Sequence, residues 1–227
     1  MNKTKIEWTD YSWNPITGCK HGCWYCYAKK LAQRFKKVFP YGFEPHFYPE
    51  RLKEPWELEK PSKIFVCSIA DLFAPWTPRK WMFTVLESMR DCPVEHIFQM
   101  LTKSPEGINK LFDYPDNWWF GVTVTTIDGL WRIDELLKVN CQIHFGSFEP
   151  FLFQHKDIKD VWDKIEGLEW IIIGKLTGSK RVELDVEAVM DLVVIARRLN
   201  IPIFMKNNLS PPFEKSLLIQ EFPREGE

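Results

Sequence analysis

Three cysteines, Cys19, Cys23 and Cys26, fall within eight residues, in the run Gly18-Cys19-Lys20-His21-Gly22-Cys23-Trp24-Tyr25-Cys26-Tyr27. This C-x3-C-x2-C spacing constrains the chain more than any other feature. Thiolate is the preferred ligand of cluster iron, and three thiolates this close can wrap one iron–sulfur cluster. A cubane 4Fe–4S cluster has four irons, so three cysteines leave one without a protein ligand. That iron can take a small molecule, as the open position does in catalytic zinc sites.

Other readings of the three cysteines meet obstacles. A structural zinc site takes four ligands in paired clusters, and the chain has no second C-x2-C or H-x3-H pair. His21 supplies a fourth ligand only by tight local folding. Cys23 and Cys26 are too close for an ordinary structural disulfide, and Cys67, Cys92 and Cys141 sit in apolar runs. A thioredoxin-like C-x-x-C leaves Cys19 unexplained.

The length of 227 residues and the 45% hydrophobic content fit one domain over 1–227 with a real core. The net charge of −1 gives no global attraction to nucleic acid, although a local patch remains open. Residues 20–37 form such a patch, with Lys20, Lys29, Lys30, Arg34, Lys36 and Lys37 and no acid. It reads as a solvated helix face or as a phosphate-facing surface, where Trp118 and Trp119 could stack bases. No apolar stretch reaches membrane length. With no targeting segment and thiols kept reduced, the expected compartment is the cytoplasm.

The region around 40–62 is rich in Pro and Glu and reads as a loop-rich insertion. Beyond it, short apolar runs predict strands at Ile64–Cys67, His96–Leu101, Trp119–Val124, Gln142–Phe148, Trp170–Gly174 and Ile203–Lys206, each suited to burial on both faces. Ala28, Leu31, Ala32 and Phe35 predict a helix directly after the cysteine loop. Thr77-Pro78 reads as N-cap and N1 of a second helix, and Ser104-Pro105 repeats the signal before Ile108, Leu111 and Phe112. Leu130, Ile133 and Leu137 mark another. Asp185 caps a longer one, with Val186, Val189, Met190, Val193 and Val194 as its expected apolar face. The βαβα alternation implies an α/β fold with a mainly parallel sheet and right-handed crossovers. A partial barrel and a flat doubly wound sheet both satisfy it.

The cysteine motif resembles that of the radical S-adenosylmethionine (SAM) enzymes. More specifically, the chain resembles a phage- and prokaryote-borne family of unassigned function related to spore photoproduct lyase. The likeness rests on Ile6-Glu7-Trp8-Thr9-Asp10, Trp13-Asn14-Pro15, Gly18-Cys19 and Tyr25-Cys26-Tyr27-Ala28. It continues through Ser68-Ile69-Ala70-Asp71-Leu72-Phe73, Leu101-Thr102-Lys103, Gly121-Val122-Thr123-Val124 and Ser147-Phe148-Glu149-Pro150. Two segments depart from it. Gly174-Lys175-Leu176-Thr177-Gly178 stands where the family has Gly-Gly-Glu-Ser-Gly, and Phe204-Met205-Lys206-Asn207-Asn208 where it has Phe-Lys-Gln-Trp-Gly.

The resemblance implies a partial (βα)6 TIM-type barrel of the radical SAM kind. It also implies a 4Fe–4S cluster on Cys19, Cys23 and Cys26 and S-adenosyl-L-methionine on the open iron. Reductive cleavage of SAM would yield methionine and a 5′-deoxyadenosyl radical that abstracts hydrogen from an unknown substrate, the reaction class being open between lyase and transferase. In this reading Lys103 pairs with the SAM carboxylate, and Tyr25 and Tyr27 pack on or hydrogen-bond SAM. Ser68, Asp71, Thr123, Thr125 and Glu149 are further cofactor-binding candidates. Cys67 is a candidate hydrogen donor. Expected partners are a one-electron reductant of flavodoxin or ferredoxin type, a nucleic-acid or small-molecule substrate, and a separately encoded protein. The competing readings are lesion repair of the photoproduct-lyase kind and a non-enzymatic zinc or iron–sulfur module.

Overall fold

Every predicted strand begins and ends within one residue of an observed one. The computed structural model describes residues 1–178 and 182–224. Its main sheet has eight strands in the order β1 (Asn2–Lys3), β2 (Tyr11–Trp13), β5 (Lys63–Val66), β6 (Ile97–Thr102), β7 (Trp118–Thr123), β8 (Ile143–Phe148), β9 (Trp170–Ile173) and β10 (Ile203–Met205). All pairings from β2 to β10 are parallel, and β1 adds an antiparallel edge. A second, two-stranded sheet pairs β3 (Ile16–Thr17) with β4 (His46–Phe47), so the 40–62 insertion folds back beside the approach to the cysteine loop.

The strand order is sequential, without the reversal that defines a doubly wound sheet. Right-handed crossovers that always advance in one direction put the helices on one face. The two hydrophobic clusters agree. One face of the sheet, with Ile64, Val66, Met100, Phe120, Ile171 and Ile203, packs on α2 (Arg79–Arg90), α3 (Trp131–Leu136) and α5 (Val186–Arg198). The other face carries Phe65, Trp119, Phe145, Trp170, Ile172 and Phe204 under Trp8, and among the described residues no helix contributes to it. Alternation of neighbours along each strand produces this division. Trp170, fully buried, meets Trp8 edge-on at 6.1 Å, and truncating it to alanine is expected to cost about 3–5 kcal/mol.

Three helix expectations are corrected. The helix predicted after Ser104-Pro105 is only a short 3-10 turn, Pro105–Gly107, and Leu111 is 91% exposed. Here the Ser104 N–H is taken by Thr102 Oγ1 at 2.9 Å, and Gly107 lies so close to Phe73 that a Cβ would be 2.0 Å from its carbonyl oxygen. Helix α2 has Pro78, not Thr77, at its N-cap, because the Thr77 hydroxyl donates to Asp71 O at 2.8 Å. Helix α5 is capped by Asp185 as expected, but Met190 and Val194 are 47% and 44% exposed while Ala188, Leu192, Ile195 and Ala196 are buried with Val189 and Val193. Small alanines on that side let the helix approach the sheet closely.

Candidate active site at the strand ends

The cysteine loop runs from β3 to helix α1 (Tyr27–Arg34). Gly18 enters it at φ +85°, and a Cβ there would lie 2.2 Å from Glu44 O, so the position requires glycine. The Gly18 and Cys19 N–H groups donate to Ile69 O and Phe43 O, both at 3.1 Å, fixing the loop entrance. At its exit Cys26 is the N-cap of α1, and its sulfur accepts the Lys29 N–H at 3.3 Å.

Cys19, Cys23 and Cys26 all open into one cavity of about 380 Å³ at the C-terminal ends of the parallel strands. Its floor is apolar, with Ile6, Trp8, Phe65 and Leu101. Its polar wall brings together Tyr25, Tyr27, Ser68, Asp71, Lys103, Thr123 and Glu149, all expected from sequence. Thr125 lies instead in a neighbouring pocket of about 180 Å³, where it hydrogen-bonds Tyr25. Thr123 is the last residue of β7 and Thr125 lies past the strand end, so of the two only Thr123 lines the cavity.

Asp71 is the most heavily bonded of these residues. It is 4% exposed. Oδ2 lies 2.6 Å from His21 Nε2 and accepts the Lys103 N–H at 3.0 Å, while Oδ1 accepts from Thr102 Oγ1 at 2.6 Å and from the Phe73 N–H at 3.2 Å. Burial raises its pKa, but these donors outweigh burial and hold it below the usual carboxylate range. One carboxylate therefore ties the cysteine loop, through His21, to the end of β6. His21 is also braced edge-on by Trp76 at 4.6 Å.

Lys103 is held close to the cysteines. Its Nζ stands 5.7 Å from the Tyr25 ring centre, and Arg132 donates to its carbonyl at 3.0 Å and to Thr123 O at 3.2 Å. Burial lowers the Lys103 pKa, opposed by nearby Cys23 and reinforced by Arg132. Burial likewise pushes Tyr25 up to about 12 and the Cys19 thiol up to about 11. Tyr27 keeps an exposed ring but donates its hydroxyl to Ser68 O at 2.8 Å, and burial of that hydroxyl raises its pKa. Asn14 exchanges hydrogen bonds with Ser68 Oγ at 3.2 Å and accepts the Ile69 N–H. Cys67 is 3% exposed, lines the cavity and takes a positive φ of 57°. Burial pushes its thiol up to about 12, partly opposed by the Ile16 backbone.

The far wall was not legible as a unit. Lys206 Nζ bonds Glu149 Oε1 at 2.6 Å across 57 residues, and Gly174 leaves the room both need. Lys175 and Asn208 exchange backbone–amide hydrogen bonds of 3.2 and 3.0 Å. The two segments that depart from the resemblance are thus stitched to each other on one side of the cavity. Arg132 had no motif to single it out, while His21 and Lys206 stood in segments noted for other reasons.

Residues 3–210 match the family described as Protein of unknown function (DUF5131). The chain belongs to that family. No curated protein matches it. Among solved structures, this chain's fold is similar to that of spore photoproduct lyase. A tyrosine-to-phenylalanine mutant of that lyase matches with a TM-score of 0.62 and 10% identity, over 90% of this chain and 78% of the other. A cysteine-to-alanine mutant with dinucleoside spore photoproduct matches with a TM-score of 0.56 and 12% identity, over 87% of this chain. The match spans 62% of the length of that second lyase chain. At such identities the likeness is one of fold.

Proposed function

We propose that this chain is a radical SAM enzyme whose three loop cysteines hold a 4Fe–4S cluster and whose cavity holds S-adenosylmethionine. The carrying observation is that Cys19, Cys23 and Cys26 open into the same cavity as half-buried Lys103, at the C-terminal ends of parallel strands. The fold likeness to spore photoproduct lyase supports it, and the open sheet is then read as a partial barrel.

The donor set fits the group. Cys19, Cys23 and Cys26 reach the same cavity, and thiolate is the preferred ligand of cluster iron. When bound, the cluster and SAM supply one-electron, hydrogen-abstracting chemistry. Cys19, raised to about 11 by burial, must lose its proton to bind iron, so loading releases protons and favours higher pH. Lys103 offers a cation to a carboxylate, and Tyr25 and Tyr27 wall the cavity. Asp71 has no lone pair left for a ligand, so its part is to hold the loop and Lys103 in register. Cys67, raised to about 12, stays a neutral thiol at physiological pH and so retains a hydrogen atom to give.

A second reading, repair of a dinucleoside lesion, draws on the ligand of the lyase structure. Its weakness is the altered wall at 174–178 and 205–208. The deciding experiment is anaerobic iron reconstitution, then reduction with SAM and chromatography for 5′-deoxyadenosine. About four irons per chain with deoxyadenosine formation is expected. A zinc-loaded protein that forms none would sink the proposal. Turnover of a thymine dinucleoside photoproduct would establish the second reading.

A further inference from the structure

Two strand ends on the far side of the cavity each bring a lysine to its wall. Lys175 follows β9, Lys206 follows β10, and both line the cavity. A third lysine, Lys30 of α1, comes across from the cysteine side, and its Nζ would lie 3.1 Å from a Cβ placed on Gly178. Three cations from three elements thus border one stretch of wall, 174–178, where Thr177 adds a hydroxyl.

The acids of the cavity leave this charge uncancelled. Asp71 is already met by four partners on the opposite side. Glu149 holds only Lys206, at 2.6 Å, with side chains 26% and 15% exposed. Glu7 accepts the Asn207 N–H at 3.0 Å and is not part of the cavity lining. Lys175 Nζ rests on a neutral partner, Pro211 O at 2.6 Å. Among the described residues neither Lys175 nor Lys30 makes an ion pair. Lys103, the remaining lysine of the lining, stands beside Tyr25 near the cysteines, where the proposed function commits it to the SAM carboxylate.

An ammonium group is a compact charge with three donors, suited to phosphate, whereas planar recognition of a carboxylate calls for the arginine fork. A tetrahedral dianion offers oxygens to cations that arrive from several directions. A nucleic-acid strand is held by a row of phosphate contacts, while these lysines surround one place. The cavity of about 380 Å³ is in the range of small-molecule sites.

We propose that Lys175, Lys206 and Lys30 form a subsite for the phosphate group of a small phosphomonoester substrate. The inference deepens the proposed function and rests on it for the substrate; the anion subsite itself does not require the cluster. On binding, Lys175 exchanges the Pro211 carbonyl for a phosphate oxygen, and Lys206 uses the donors that Glu149 leaves free. Held at the rim, the phosphate leaves the inner cavity to SAM and to the reacting part of the molecule.

The test is calorimetric titration of inorganic phosphate into the iron-reconstituted protein with SAM and into the iron-free protein, with chloride at matched ionic strength as the blank. One phosphate per chain is expected in both. Lys175→Met, which leaves the Glu149–Lys206 pair intact, should weaken binding at least about tenfold. Glu149→Gln removes the charge that competes for Lys206 and keeps an acceptor for it, so it should tighten binding about threefold or more. Lys60→Met, exposed at the opposite ends of the strands, should behave as wild type. For the substrate, a low-mass bacterial extract should stimulate deoxyadenosine formation by the reconstituted protein, and alkaline phosphatase treatment of the extract should abolish the stimulation. No phosphate binding by wild type, or binding that Lys175→Met and Glu149→Gln both leave unchanged, would overturn the proposal. So would binding of a single-stranded oligonucleotide, lost in Lys175→Met, without binding of phosphate. An extract that gives no stimulation, or stimulation that survives phosphatase, would overturn the substrate assignment. Phosphate binding by a protein that takes up no iron would sustain the subsite and sink the cluster reading instead.

Discussion

Replacing Asp71 with asparagine changes one oxygen into an amide and asks whether this residue is the clasp of the site. Each carboxylate oxygen faces one backbone N–H, from Lys103 or from Phe73, and one side-chain group, from His21 or Thr102. The side-chain partners can adapt, by a tautomer change or a hydroxyl rotation. The two N–H groups cannot, so either orientation of the amide turns a donor toward a backbone donor. One buried N–H is orphaned, at about 1–3 kcal/mol, and charge assistance is lost on the remaining bonds. A total near 3 kcal/mol corresponds to a fall in Tm of roughly 6–12 °C for a chain of this size. The assay is thermal unfolding followed by circular dichroism, with iron content after reconstitution as a second readout. The loss should also depend on pH. The Asp71 carboxyl is held below its ordinary value, so its contribution is present above an unfolded pKa near about 4 and disappears as pH falls through the folded one. Wild type and Asp71→Asn should therefore converge in acid. A variant within about 1 °C of wild type at neutral pH, loading iron normally, would refute the reasoning.

Four further outcomes are expected. Lys103→Met should weaken SAM binding by about tenfold or more in equilibrium dialysis while iron content stays normal, since the side chain offers its charge to the cavity and not to the cluster. Gly18→Ala should cost about 2–4 kcal/mol in urea unfolding and lower iron loading, because its Cβ meets the Glu44 carbonyl at 2.2 Å. Cys67→Ala should retain iron and deoxyadenosine formation yet change the product profile by mass spectrometry; an unchanged profile would remove its role. For His144, burial opposes charge, but Cys141, Glu169 and the Val139 carbonyl outweigh it and push the pKa up to about 10. Its stabilisation should be complete below about pH 6.5 and vanish as pH rises through 10, and His144→Gln should flatten that slope in urea titrations.

Six of the parallel strands were legible because Ile, Val, Phe and Trp runs buried on both faces have no other home. The strand Tyr11–Trp13 was not, since Tyr-Ser-Trp is only partly buried and forms no apolar run, whereas Ile203–Met205, equally short, is apolar and buried throughout. The turn at Ser104 carried a helix signal in its Ser-Pro pair, and a tertiary contact between Gly107 and Phe73 overrode it. On α5 apolar residues surround the helix, so spacing alone gave the wrong face, and the small side chains decided the packing. In the site, Cys19, Cys23, Cys26 and Lys103 announced themselves by motif. The His21–Asp71 and Glu149–Lys206 pairs lie 50 and 57 residues apart, a juxtaposition only the folded chain creates.

The sequential sheet has a consequence for descent. The cysteine loop hangs from the first parallel strand, and the stitched segments 174–178 and 205–208 hang from the last two, at the opposite edge. The two borders face each other across one cavity, where Lys30 of α1 reaches toward Gly178, so a change on one side alters the space left to the other. A lineage built this way can keep its cysteine loop and reshape the opposite wall of the cavity, by redrafting two short turns that already hold each other in place.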